Sequence, residues 1–353
     1  MLQVVTLEQA KQWLEIVKRF ENWDIYYLPE YVKAFRIHGD GEPLLFYYKG
    51  SSVQVMNVVM KRDIADDPRF QGKIPSKTYY DLVTPYGYGG GVAEGEKDAT
   101  ALKEYKAAYE AYCARQSIVS EFVRFHPLLG NAWDMEELYQ VQSLGATIAI
   151  EMHSAEQIWN DFSSANRNKI RKAQKHDVAV FWGRSARLLE QFHCMYNGTM
   201  DKDQATPYYY FGSDFYKSIL EDLKYHFLVF YAVYQGEIAA MSLILFANQR
   251  LHYHLSASDP AFNFAAPTNL LLYESALWGL ENGFRSLHLG GGLGSRKDDL
   301  YKFKKAFNKQ NDLEFAVGRR AFSEASYNEL VEIRKNSTPD FDSSAAFFPL
   351  YRA

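Results

Sequence analysis

The chain has 353 residues, 47% hydrophobic, 23% charged and 16% aromatic, which is long for one ordinary domain, comfortable for two, and typical of a folded soluble protein. A formal net charge of −4 excludes a general polyelectrolyte binder, so any contact with phosphate or nucleic acid must come from a local basic patch, and DNA is not expected as a partner. The two cysteines, Cys113 and Cys194, lie far apart with no further thiol or histidine at metal spacing, which excludes a disulfide scaffold or thiolate zinc site and suits a reducing cytosol.

In chain order, "MLQVVTLEQAKQWLEIVKRF" reads as a short strand and an amphipathic helix near 7–20, not as a signal peptide. "DIYYLPEYVKAF" is strand-like until Pro29 starts a second helix. "PLLFYYKGSSVQVMNVVMKRDI" reads as two strands around Lys49-Gly50. "YYDLVTPYGYGGG" is a strand running into a glycine-rich turn, "KDATALKEYKAAYEAYCARQ" a helix, and "IVSEFVRFHPLL" a strand that Pro127 ends. "ATIAIEM" is a strand, "SAEQIWNDFSSANRNKIRKAQKH" one helix capped by Ser154, and "VAVFWGR" a strand. Helices near 186–201 and 213–223 precede three strands, "FLVFYAVY", "EIAAMSLILFA" and "LHYHLSAS", turned by Gln235-Gly236 and Asn248-Gln249. "TNLLLYESALWGLENG" is a helix behind Pro267 that stops at Gly283; "SLHLGGG", "DDLYKFKKAF" and "LEFAVGRRAF" then read strand, helix, strand. No apolar run approaches the roughly 18–20 residues that cross a bilayer, so a cytoplasmic protein without a transmembrane segment is expected.

Four stretches carry residues suited to chemistry. "SLHLGGGLGSRKDDLYKFKKAF" (286–307) resembles a phosphate loop at first sight, but it fits neither G-x-G-x-x-G nor G-x-x-x-x-G-K-[ST] in any register. What survives is small residues that admit a close ligand, free N–H groups at the next helix start, and nearby Arg296, Lys297, Lys302, Lys304, Lys305 and Lys309. In "ANRNKIRKAQKH", Arg167, Arg171 and Lys175 share one helix face, a repulsive spacing for which an anionic ligand would supply a reason. In "RLHYHLSAS", strict alternation sends His252, His254 and Ser256 to one face and Leu251, Tyr253 and Leu255 to the other. His254 is a candidate proton acceptor; the H-x-H pair has no acidic third ligand nearby, so no metal is expected. "DLVTPYGYGGG" and "FVRFHPLLGN" put Tyr86, Tyr88, Arg124 and His126 at strand ends, where clefts form. A tight turn, a solvated helix face, a satisfied core histidine and a packed aromatic turn are the respective alternatives.

The element order over 178–322 is that of the GNAT acyltransferase fold, and the first half reads as a diverged copy. The segments "RNKIRKAQK", "HYHLSAS", "APTNLLLYESALWGLENG", "LHLGGG" and "LYKFKKAF", extended by "TPYGYGG" and "EFVRFHPL", together resemble the FemAB family of aminoacyl-tRNA-dependent peptidyltransferases and the related FemAB-like acetyltransferases, over roughly 80–350. The resemblance implies an α+β fold of two GNAT-like domains in tandem, each a mixed sheet flanked by helices, here divided as 1–145 and 146–353. It implies transfer of an activated acyl group to an amine of a cell-envelope precursor, a muramyl-peptide or an amino-sugar nucleotide, with aminoacyl-tRNA or acyl-CoA as co-substrate and no tightly bound cofactor. The F-K-x-x-F lysine near the reacting carbonyl maps onto Lys304. Arg167, Arg171, Gly291 and Gly292 are expected to hold phosphate or acid groups, and Tyr86, Tyr88 and Arg124 to line the acceptor side; Tyr253, Ser256 and Asn269 complete the substrate-binding set. Two departures stand out. The long coiled-coil arm of some members is absent, and "DPAFNFAAPTN" replaces the glycine-rich pyrophosphate loop of acetyl-CoA enzymes, which favours another donor. A CoA-dependent N-acetyltransferase of an amino sugar and a non-catalytic binder of the same fold are the remaining alternatives.

Overall fold

The computed structural model of the chain describes residues 1–97 and 99–353; Asp98, at the start of the helix expected over 97–116, lies outside the described residues. In chain order, the first half runs β1 (Leu2–Val5), α1 (Ala10–Val17), α2 (Pro29–His38), β2 (Glu42–Lys49), β3 (Val53–Asp63), β4 (Tyr80–Val83), β5 (Val92–Gly95), α3 (Ala99–Arg115) and β6 (Ile118–Arg124). After β7 (Gln140–Glu151) come α4 (Ala155–Asp161), α5 (Ser164–Lys175), β8 (Ala179–Gly183), α6 (Ala186–Lys202) and α7 (Ser213–Glu221). The chain ends with β9 (Phe227–Tyr234), β10 (Glu237–Ala247), β11 (Arg250–Ser258), α8 (Pro267–Glu281), β12 (Ser286–Gly290), α9 (Asp299–Lys305), β13 (Leu313–Ala321) and α10 (Glu324–Ser337). Among the described residues no helix is long and apolar enough to cross a membrane.

Two compact units emerge, Met1–Leu144 with Phe315–Ala353, and Gly145–Glu314. Each repeats one pattern. A strand and two helices precede a three-stranded antiparallel meander, and a helix then leads to a strand parallel to the meander's last member. In the first unit these are β1, α1, α2, β2–β4, α3 and β6, with β4 parallel to β6. In the second they are β8, α6, α7, β9–β11, α8 and β12, with β11 parallel to β12. The sixth strands are exchanged in sequence: β13 pairs with β6, and β7 with β12. That exchange carries residues 315–353 into the first unit, where a division at 145 alone would leave them in the second.

Local chemistry explains the elements. Positive φ at Gln235, Gly236, Asn248 and Gln249 makes the two tight turns of the β9–β11 meander. α8 buries residues on every side and is therefore a core helix; a Cβ on its Gly279 would run into Leu251 of β11. The helix expected over 154–176 is two. Phe162 turns extended, and the Ser163 hydroxyl accepts from Asn166 N at 3.2 Å, restarting the chain as α5. "DIYY" is not a strand: Asp24 caps a single helical turn that buries Ile25, Tyr26 and Tyr27. Phe162 is fully buried against Tyr273 and Phe307, at 5.8 and 5.2 Å between ring centroids, and pins α4 and α9 to the second core.

In the first unit, Asp81 of β4 is fully buried and accepts from Arg62 Nε at 2.8 Å, Arg352 Nε at 2.5 Å and the Tyr351 hydroxyl at 3.1 Å. Burial alone would raise the Asp81 pKa; the two guanidiniums outweigh it and hold the carboxyl below its ordinary range. Replacing Arg352 by alanine leaves a buried carboxylate half-matched, so Arg352→Ala is expected to cost about 3 kcal/mol in chemical denaturation. A loss below about 1 kcal/mol would mean that Asp81 does not need this partner.

Candidate active site

β11 and β12 pair at Arg250–Ser286, Leu251–Leu287 and His252–His288, and the register between them ends there. β11 nevertheless runs on to Ser258 and β12 to Gly290, so the two parallel strands part beyond His252 and His288. His288 is bonded through Nε2 to the Thr147 hydroxyl at 2.9 Å, which fixes the point of divergence from the β7 side.

The loop after β12 carries Gly291 and Gly292. A Cβ on Gly291 would sit 2.7 Å from the Ala146 carbonyl oxygen, and one on Gly292 would collide with the Arg296 carbonyl and the Asp298 carboxylate. These glycines let the loop fold on itself, and neither is placed to cradle an anion by its small size alone. The expected anion site at the helix start is also occupied. Asp298 caps α9, accepting from Leu293 N and Tyr301 N, each at 2.9 Å. The neighbouring cations are matched as well: Lys302 by Asp299, Lys305 by Asp312, and Lys309 by the Asn160 carbonyl. Arg296 and Lys297 border an open depression of about 550 Å³ that Asp298 and Asp299 share, so its charge is balanced.

Lys304 is different. It is 9% exposed, and its ammonium donates to the Gly291 carbonyl at 2.7 Å. Phe303 and Phe307 flank it along α9, with ring centroids 5.4 Å apart. Burial pulls its pKa down to about 8, with Asp298 holding against the fall. A mostly charged ammonium, desolvated and directed at the loop following the diverging strand, is a preorganised electrophilic group.

On β11, strict alternation fails. Leu243 pairs with Leu255 and Ile244 with Tyr253, leaving His254 as an extra residue. This bulge brings Tyr253 and Ser256 to one face, with the Tyr253 hydroxyl donating to Ser256 Oγ at 2.5 Å and Ser242 Oγ donating to the same atom at 3.4 Å. The bulge also puts His252, paired with Leu245, on the face opposite Ser256, paired with Ser242. Burial, with His252 beside it, drives the His254 pKa down to about 3, so it is neutral and a very weak base.

The remaining expected residues are drawn into structure. Arg167 donates to the Phe162 carbonyl at 2.7 Å and the Trp159 carbonyl at 3.3 Å, capping the end of α4. Arg171 stands 5.1 Å over the Trp159 ring and bonds Asn168 at 3.1 Å, yet stays exposed with Lys169, Lys172 and Lys175. Asn269, in the first turn of α8, donates to Asn166 Oδ1 at 2.8 Å; Asn166 Nδ2, a buried donor that the sequence did not single out, has no partner. In the first unit, Arg124, expected to line the acceptor side, donates to the carbonyls of Thr84 at 2.9 Å, Pro85 at 2.8 Å and Gly87 at 3.0 Å and so clamps the 84–87 turn. Tyr86 stacks on Phe35 at 5.3 Å, and Tyr88 meets Tyr26 and Phe315 edge-on at 5.8 and 5.6 Å. His126 pairs with the equally buried Asp24 at 3.0 Å.

Residues 161–330 match the family described as Acetyltransferase (GNAT) domain. Among solved structures, that of FemX is similar over 93% of this chain and 99% of that one, with a TM-score of 0.66 at 13% identity. A conserved protein of unknown function from Bacteroides thetaiotaomicron gives a TM-score of 0.57 at 11% identity, covering 90% and 98%. The C-terminal domain of a protein named as a lysylphosphatidylglycerol synthetase from Agrobacterium fabrum gives 0.55 at 10%, covering 93% and 96%. No curated protein matches in sequence. Residues 161–330 thus carry an acyltransferase domain of the GNAT type, and the chain shares the fold of FemX.

Proposed function

We propose that the protein transfers an aminoacyl group from aminoacyl-tRNA to an amine of a cell-envelope precursor, a peptidoglycan muramyl-peptide, in the cytoplasm where charged tRNA is available. The observation that carries this reading is the buried Lys304 ammonium on the Gly291 carbonyl, behind the diverging β11 and β12. The amine nitrogen attacks the ester carbonyl of the donor. The Lys304 ammonium turns from the Gly291 oxygen to the developing oxyanion, an effect of about 3 kcal/mol. The N–C bond forms, the C–O bond of the ester breaks, and the proton lost by the amine ends on the departing ribose hydroxyl. His254 is a poor intermediary for that proton: with its pKa near 3, taking a proton from an alkylammonium is uphill by about 10 kcal/mol. Transfer through water or directly to the leaving oxygen fits the site better. Tyr253 and Ser256 offer hydroxyls on one face for the substrate, and the exposed basic face of α5, with Arg171, Lys172 and Lys175, suits the phosphates of an anionic donor. The envelope assignment rests on the FemAB-like resemblance of the sequence, with which the fold shared with FemX agrees.

A CoA-dependent transfer to an amino sugar is the second reading. The observation favouring it is the start of α8, where Ala266 offers no side-chain cap and Pro267 occupies the first position. No side chain caps that turn among the described residues, so the N–H groups after Pro267 are the ones a pyrophosphate would meet, though fewer than a glycine-rich loop offers.

The lysine mechanism and the identity of the donor are tested separately. Lys304→Ala is expected to lower kcat about 100-fold or more; turnover within about threefold of wild type would remove lysine from the mechanism. Because the charged form is the active one, kcat should decline as pH rises through about 8, the value to which burial brings Lys304. The donor is identified by supplying charged tRNAs and acyl-CoAs in parallel to muramyl-pentapeptide and amino-sugar nucleotides, with products read by mass spectrometry. Aminoacylated muramyl-peptide that weakens steeply with salt is the expected product. Micromolar acetyl-CoA binding by titration calorimetry, with acetylated sugar nucleotide, would replace it with the second reading.

A further inference from the structure

The first unit holds a carboxylate that the acyl-transfer reading does not use. Glu121, in the middle of β6, is fully buried and lies among the aromatic residues of the first core. Its Oε2 accepts from the Tyr139 hydroxyl at 2.9 Å and the Tyr109 hydroxyl at 3.0 Å; its Oε1 accepts from Asn57 Nδ2 at 3.3 Å. All of these donors are neutral. The other titratable groups packed around it come from α3: Tyr105, whose buried hydroxyl has no partner, and Cys113, fully buried. The cations on the surrounding strands are engaged elsewhere. Arg320 of β13, in register with Glu121, pairs with Glu110, and Lys61 of β3 lies 3.8 Å over the Tyr80 ring.

Asn57 Nδ2 also lies 3.4 Å from the Tyr109 hydroxyl and 3.5 Å from the Tyr139 hydroxyl, so the amide, the two phenols and the carboxyl form one network. A proton on Glu121 Oε2 fits that network: one of the two tyrosine hydroxyls accepts it, the other still donates to Oε2, and Oε1 keeps the Asn57 amide. A charged carboxylate without a cation, in contrast, bears its whole desolvation cost in the core.

We propose that Glu121 is carried as a neutral carboxylic acid hydrogen-bonded to Asn57, and that its ionisation is a proton-sensitive switch loosening the β3–α3–β6 core of the first unit. The same strand ends three residues later at Arg124, the clamp of the 84–87 turn. In agreement, burial raises the Glu121 pKa to about 7, with Tyr139, Tyr109 and Asn57 opposing the rise. The unfolded chain releases this proton near 4.5 and the folded chain near 7, so the folded state holds the extra proton between those values. Stability contributed by the neutral acid is therefore complete below about 4.5, declines as pH rises through about 7, and is flat above.

The test is thermal unfolding of the full chain from pH 5 to 8.5, comparing wild type with Glu121→Gln. Wild type is expected to lose on the order of 5 °C relative to the glutamine variant across that range, with the variant the more stable at pH 8. Tyr139→Phe removes a donor that favours the charged form, and should extend the decline to higher pH. Infrared spectra of wild type at pH 5.5 should show a protonated carboxyl band that Glu121→Gln lacks. Parallel pH curves for wild type and Glu121→Gln, or no such band, would overturn the proposal; so would a Tyr139→Phe decline that moves to lower pH.

Discussion

The second unit is organised around one buried charge. An ammonium taken out of water is costly unless it is bonded, and Lys304 has the Gly291 carbonyl at 2.7 Å to meet it. That carbonyl is available because Gly291 and Gly292 carry no Cβ, so the loop can tuck beneath Ala146 and against Asp298. Asp298 in turn fixes where α9 starts, and hence which helical face turns Lys304 toward the Gly291 carbonyl. Depressing the lysine pKa to about 8 costs some of the ammonium's stability but keeps the charge at neutral pH, where a desolvated cation acts strongly on developing negative charge.

Much of this was legible in the sequence, and the boundary of legibility has physical causes. The β9–β11 meander could be read residue by residue because its turns are made by Gln-Gly and Asn-Gln pairs that accept positive φ. α8 could be read from Pro267 and Gly283, which bracket it. The lysine of "FKKAF" was reached through family resemblance, and its burial was not visible in a segment otherwise rich in exposed cations. The His254 bulge was invisible, since alternation gives no sign of where an extra residue will be absorbed. The break between α4 and α5 had a signal in Ser163-Ser164, but the helix-forming residues on both sides outweigh it in a sequence reading.

The arginines were the least legible group. Arg167 and Arg124 look like anion ligands when only charge and spacing are known, yet both satisfy carbonyls that helix ends and turns leave without donors. A guanidinium carries five N–H donors, so it can meet several such carbonyls at once, as Arg124 does with three. Arg171, which lies over Trp159 and bonds Asn168, stays exposed; the arginines thus separate into carbonyl clamps and surface residues by what surrounds them.

The two repeats also differ in how far their parallel strands stay paired. In the second, nine-residue β11 is paired to β12 over three residues and then diverges from it, leaving room beside Tyr253, Ser256 and the loop under Lys304. In the first, the corresponding strand β4 has only four residues, and all of them pair with β6; a further parallel bridge from Gly89 to Phe125 and the Arg124 clamp hold the turn beyond them. Closing that gap removes a cleft but allows a denser aromatic core, which is where Glu121 lies. The duplicated topology therefore takes two forms: the parallel strands diverge in one unit, and in the other they are zipped over a tightly packed aromatic core with a buried carboxylate, Glu121, inside it.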